Sequence, residues 1–163
     1  MTSKTDFTAE EWQRLGRAPF VAAMAISFAD PGGPIEAVKE TNAALQTVLQ
    51  AAQSGEHGDF VHAVATDVTE QARHRHNPVA GFKPRGADAG REIEDEMRAV
   101  NALLVEKATP EEANQFREWL KQSAQAAALA AKEGGFLGFH AERVSENEQQ
   151  MLEKLGDIFG QPS

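Results

Sequence analysis

The sequence predicts an all-α fold, a single-domain helical bundle of about seven helices, on three observations. The first is composition: Ala, Glu, Gln, Lys and Leu are abundant, β-branched runs are scarce and tyrosine is absent, a balance that favours helix over strand. The second is that apolar residues recur at three- and four-residue spacing through most of the chain. The third is a set of Ser/Thr-x-x-Glu capping boxes at Thr8/Glu11, Thr109/Glu112 and Ser145/Glu148, each a signature of a helix N-terminus. With 163 residues the chain is long enough to bury a core without a disulfide or a metal to hold it.

The first helix is expected to start at Thr8, with Phe7 and Trp12 placed to form a hydrophobic staple, and to stop near Leu15-Gly16. A second helix, 18–29, takes Pro19 in its first turn, where the missing amide donor would be unpaired anyway. Phe20, Met24 and Phe28 share one side of it, and alanines keep the rest slim. Asp30-Pro-Gly-Gly-Pro34 ends it. A third helix, 35–53, carries Ile35, Val38, Leu45, Val48 and Leu49 at helical spacing. A fourth, 59–73, places Val61, Val64, Ala65, Val68 and Ala72 on one face, with His62 beside it.

Residues 74–90 read as a loop rich in Gly and Pro, long enough to be functional or disordered in a compact domain. A fifth helix, 89–107, aligns Ile93, Met97, Val100 and Leu104 in a bundle seam. Thr109-Pro110-Glu-Glu112 then opens a sixth, 110–132, whose first half is thick with Phe116, Trp119 and Leu120 and whose second half is mostly alanine. Thin helices let backbones approach closely, which puts this half at the centre of the bundle. After Gly134-Gly135 and Phe-Leu-Gly-Phe-His, the last helix, 145–159, lines up Met151, Leu152, Leu155, Ile158 and Phe159.

The second helix and its exit, Ala22 to Gly33, parallel the sixth and its exit, Ala126 to Gly135. Both are small-residue helices that end in an acid near Gly-Gly and feed an amphipathic helix. This suggests one domain, 1–163, built of pseudo-repeat halves 8–73 and 89–160 joined by a basic loop, 74–88.

The chain has no cysteine, which excludes structural disulfides, thiolate catalysis and cysteine-ligated zinc or iron–sulfur centres. Its first residues lack the basic and apolar regions of a secretory signal, and the apolar-looking run 126–131 is too short to span a bilayer. A cytoplasmic setting without membrane association is expected. A net charge of −9, from 25 acidic and 16 basic residues, argues against nucleic acid as a partner. Residues 73–91 carry +4 all the same, which leaves −13 on the remainder.

Residues 107–159 resemble a family of small uncharacterised bacterial all-helical proteins, in which a helix ending Ala-Ala-Lys-Glu-Gly-Gly-Phe-Leu-Gly-Phe leads to Val-Ser-x-x-Glu. Phe7-Thr-x-Glu-Glu-Trp12, Ala18-Pro19 and Lys39-Glu40 extend that resemblance over most of the chain. It implies a bacterial helical protein and carries over no assigned activity. More remotely, an acid-and-glycine turn followed by a capped helix is similar to the duplicated turns of TerB-like tellurite-resistance bundles. That family's Ala-Asp-Gly is here Asp30-Pro31, and the second turn runs from Glu133 through a longer loop to Glu148.

Four constellations carry candidate chemistry. His57, Asp59, His62, Glu70, His74 and His76 cluster in sequence; Asp59, His62, Glu70, His74 and His76 are the candidate ligands of a divalent metal, Glu70 and His74 at the i, i+4 spacing that can share one ion. The alternative is a set of solvated polar residues near a helix end. Phe136, Leu137 and Phe139 form either a docking patch for a partner or a plug closing the bundle, worth about 2 kcal/mol for each side chain buried. The carboxylates at the two acidic turns, Asp30 with Glu36 and Glu133 with Glu142, Glu146 and Glu148, could hold a cation or simply cap helices. Arg73, Arg75, Lys83 and Arg85 suit an anionic or acidic partner, or pair with the protein's own acids.

No Gly-x-Ser-x-Gly motif and no serine–histidine–acid set is present, so catalysis has little support. The expected role is therefore non-enzymatic: an interaction or assembly protein binding itself or a protein partner, with no resident cofactor. A metal- or small-ligand-binding helical protein is the alternative.

Overall fold

The computed structural model describes residues 1–30, 34–132 and 144–160. Six α-helices are found among them: α1 (Ala9–Ala29), α2 (Pro34–Ser54), α3 (Gly58–Arg73), α4 (Ala89–Lys107), α5 (Pro110–Lys132) and α6 (Glu146–Gly160). Short 3-10 turns at Lys4–Asp6 and Gly86–Asp88 precede α1 and α4. The described residues form no strand.

The difference from the expected seven lies in α1. Residues 8–16 and 18–29, read as two helices, are one continuous helix with Pro19 inside it. Tertiary packing overrides the local stop signals. Leu15, Ala18, Val21, Ala22, Ala25 and Ile26 are all fully buried, and burying a side chain as large as Leu or Ile is worth about 2 kcal/mol, comparable with the roughly 3 kcal/mol that an interior proline costs. Gly16 is a packing position rather than a terminator: a Cβ there would lie 3.0 Å from Val68 Cγ2 on α3.

The start of α1 is as the sequence implies. Thr8 Oγ1 accepts from the Glu11 amide and Glu11 Oε2 accepts from the Thr8 amide; the Phe7 and Trp12 rings meet at 5.6 Å. Thr109 with Glu112 caps α5 in the same way, and Ser145 with Glu148 caps α6.

Helices α1 and α5 form the centre, each touching all five others, while α2 pairs with α3 and α4 with α6 on their flanks. Small residues make this possible. Ala18, Ala22 and Ala25 of α1 and Ser123, Ala124, Ala127 and Ala128 of α5 are buried, and the Ser123 hydroxyl donates to the Pro19 carbonyl at 2.8 Å. One hydrophobic cluster draws on all six helices. Within it a chain of rings, Phe7 to Phe60 to Phe116 to Trp119, runs at centroid spacings of 5.7, 5.5 and 5.2 Å, tying the N-terminal segment to α3 and α5.

A buried ion pair holds α4 to α1. Glu96 Oε1 accepts from Arg17 at 2.7 and 2.8 Å and from Arg14 Nε at 3.1 Å. The Phe82 ring lies 5.6 Å from the Arg17 guanidinium, so this pair also anchors the segment between α3 and α4.

Candidate functional site

A chamber of about 550 Å³ lies between the second half of α1, the first half of α2, the end of α3 and the chain just beyond it. Its geometry follows from how α3 ends. The His76 amide donates to the Gln71 carbonyl at 3.0 Å and the Arg75 amide to the Ala72 carbonyl at 2.9 Å, the paired bonds of a Schellman motif. That motif needs a left-handed residue after the helix, and Arg75 takes the position, with φ of 61°. The chain thus reverses, and Asn77 Oδ1 accepts from the Val79 amide at 3.0 Å, a local turn that sets Asn77, Pro78 and Val79 against the chamber. Val79 and Phe82 pack on the core, which fixes a segment that the sequence leaves open between order and disorder.

Phe20, Ala23, Met24, Leu45 and Val79 give the chamber apolar walls. Phe20, Ala23 and Glu40 are buried at its base, whereas Thr41, Asn77 and Phe28 are exposed at its rim, Phe28 by 43%. Glu40 is 2% exposed. It sits on the core face of α2 together with Ala44, Thr47, Val48 and Ala51. The expected apolar stripe on this helix is thereby rotated: Val38 is 59% exposed, and Leu45 and Leu49 are only partly buried. Sequence reasoning passed over Glu40 as a site residue because a glutamate on an amphipathic helix ordinarily faces water. Its signal was positional, four residues before Ala44 and eight before Val48.

A chamber of this size and lining has the features of a small-molecule site, mostly apolar with a few placed polar groups. A larger depression of about 700 Å³ lies between the end of α5 and α6, beside Leu129, Val144 and Gln150.

The predicted metal ligands are dispersed. Asp59 and Glu70 are eleven residues apart on one helix, roughly 16 Å along its axis, so they cannot share an ion. His62 Nδ1 lies 3.3 Å from the Ala51 carbonyl and His57 Nε2 lies 2.7 Å from Gln122 Oε1. Glu70 accepts from Arg73 at 2.6 Å, and His74 and His76 are exposed where the chain leaves α3. Among the described residues no three His, Asp or Glu side chains are grouped to hold a metal ion. The carboxylate that is held tightly in this region is Asp67, which accepts from Lys4 at 2.7 Å, Trp12 Nε1 at 3.1 Å and Gln71 at 2.6 Å. Burial pushes its carboxyl up, but these bonds and the Lys4 charge outweigh it and leave it below its ordinary value.

Of the interaction candidates, Arg73, Arg75, Lys83 and Arg85 are exposed, Arg73 paired with Glu70 and Arg75 serving the α3 terminus. Phe136, Leu137 and Phe139 lie outside the described residues, as do Glu133 and Glu142 of the acidic turns. Glu148 of the second turn is buried in its capping box, accepting from the Ser145 amide at 2.8 Å. Among the described residues no helix is long and apolar enough to cross a membrane. No protein-family model, curated protein or solved structure matches the chain.

Proposed function

We propose that this chain is a non-enzymatic small-ligand-binding protein and that the chamber between α1 and α2 is its binding site. The observation that carries this reading is the pairing of an apolar cavity of about 550 Å³ with a buried carboxylate in its wall. The pocket opens to solvent past Thr41, Asn77 and Phe28, so a bound apolar molecule would displace water from the walls formed by Phe20, Met24 and Leu45. The bacterial cytoplasm as its setting is carried over from the family resemblance and fits the cysteine-free composition.

The test is titration with a neutral environment-sensitive dye such as Nile red. Saturable binding with one-to-one stoichiometry is expected, and Ala37→Trp, at the exposed rim, should weaken it at least tenfold while leaving the far-ultraviolet circular dichroism unchanged. Non-saturable binding, or full binding by Ala37→Trp, would contradict the assignment.

A second reading, self-association or protein binding through Phe136, Leu137 and Phe139 and the basic residues Arg73, Arg75, Lys83 and Arg85, is supported by Leu129, which is 59% exposed near the end of α5. The acidic remainder of the chain would attract the basic segment of a second copy. Light scattering should then give a mass above 17.7 kDa that falls with added salt; a strict monomer at all concentrations would remove the self-association form of this reading.

A further inference from the structure

We infer that residues 77–82, between α3 and α4, are a gate on the chamber: a strap that lifts as one unit to pass the ligand, with Phe82 seated on Arg17 as its latch. The gate presupposes that the chamber is a ligand site and adds how its entrance is controlled.

The strap is a unit because its hydrogen bonds close on themselves. The Val79 amide donates to Asn77 Oδ1 at 3.0 Å, the Ala80 amide to the Asn77 carbonyl at 3.0 Å and the Phe82 amide to the Val79 carbonyl at 3.1 Å. Among the described residues no backbone hydrogen bond ties 77–82 to another element. Lifting the strap therefore breaks none of these bonds. Residues suited to absorb the movement stand on either side of it: Arg75, with φ of 61°, and Gly86, with φ of 66° and nothing within 4 Å of where a Cβ would stand. Hinges are usually a few positions of this kind, in loops or at the ends of elements.

Side chains hold the strap down. Val79 and Phe82 are half-buried and pack on the core, and the Phe82 ring lies 5.6 Å from the Arg17 guanidinium. The seat under Phe82 is rigid, since Arg17 is buried and donates to Glu96 at 2.7 and 2.8 Å. A segment held by a few partly buried contacts, with its own hydrogen bonds near solvent, opens more readily than the helices around it.

The strap also has a reason to respond to a ligand. Asn77, Pro78 and Val79 form its inner edge and line the chamber, and the opening to solvent runs past Asn77. A ligand reaching Phe20 and Ala23 at the base passes that edge, and once inside it touches Val79 only while the strap is down. Contacts made in one state and lost in the other let a ligand bias the equilibrium between them. Phe82, in contrast, is not among the described residues that line the chamber, so the latch can be altered without removing a ligand contact.

The experiment is stopped-flow fluorescence of Nile red with the full chain and with Phe82→Ala. Weakening the latch frees the strap equally in the empty and loaded protein, so association and release should both quicken about fivefold while Kd changes less than about twofold. Ile158→Ala, a buried position on α6, should leave both rates unchanged. Unchanged rates in Phe82→Ala, faster release without faster association, or equal acceleration in Ile158→Ala would overturn the gate and leave the ligand site standing; failure of Nile red to bind the native chain would remove both. Should Phe82→Ala fail to fold, hydrogen exchange of the native chain decides. The Ala80 and Phe82 amides should slow together, at least fivefold, when Nile red saturates the chain, while the Leu104 amide does not; exchange at Ala80 and Phe82 that ignores the dye would overturn the gate.

Discussion

Glu112 shows how much one side chain can hold together. It closes the capping box of α5 with Thr109 and also accepts from the Thr2 amide at 2.9 Å and the Thr2 hydroxyl at 2.6 Å. Burial pushes its carboxyl up, but the hydrogen bonds from Thr2 and Thr109 outweigh that and bring it to about 2, against an ordinary 4.5. A carboxyl with a depressed folded value stabilises the fold fully above its unfolded value and loses that contribution as pH falls through the folded one. The stabilisation should therefore be complete above about pH 4.5 and absent near pH 2. Melting temperatures of Glu112→Gln and the native chain should differ at neutral pH and converge at acid pH; a gap that stays constant with pH would show the charge to be irrelevant. At this scale the capping partners were legible because the box is a local pattern, whereas Thr2 was not, since its link to Glu112 spans 110 positions. Glu40 was missed for the opposite reason: Val38 and Leu45 offered a plausible stripe, and only the packing of α2 against α5 and α3 decided which side faced inward.

Local signals placed the starts of helices more reliably than their ends. The spans 89–107 and 110–132 match α4 and α5, because Thr109-Pro110 both stops one and starts the next. In α1 the same kind of reasoning failed. Gly16 and Pro19 resemble punctuation, yet Gly16 leaves room for the close approach of Val68 and Pro19 is buried with its carbonyl held by Ser123. The end of α3 was also hidden, because a Schellman turn is normally advertised by glycine and here its left-handed residue is Arg75. A non-glycine residue in that conformation costs roughly 1 kcal/mol. Arg75→Gly is accordingly expected to raise stability by about 1 kcal/mol in urea unfolding, less the entropy that glycine adds to the unfolded chain. A loss of stability would mean that the arginine side chain contributes more than its backbone costs.

The centre of the whole molecule was readable in outline. Alanine-rich stretches mark helices that must approach closely, and α1 and α5 do occupy the middle. The chamber was not readable, because its walls come from α1, α2, the last turn of α3 and Asn77 to Val79, and no sequence pattern expresses a space enclosed by four separate segments. The buried Arg17–Glu96 pair and Phe82 hold the segment that supplies part of that wall, so the site depends on long-range contacts throughout. The most direct measurement is a methyl-resolved nuclear magnetic resonance titration of the full chain with decanol. The methyls of Met24, Leu45 and Val79 should shift together along a single saturable curve, while those of Ile93 and Leu104, buried in the α4 seam, stay in place. Shifts spread evenly over the core, or confined to α4 and α6, would contradict a ligand site between α1 and α2.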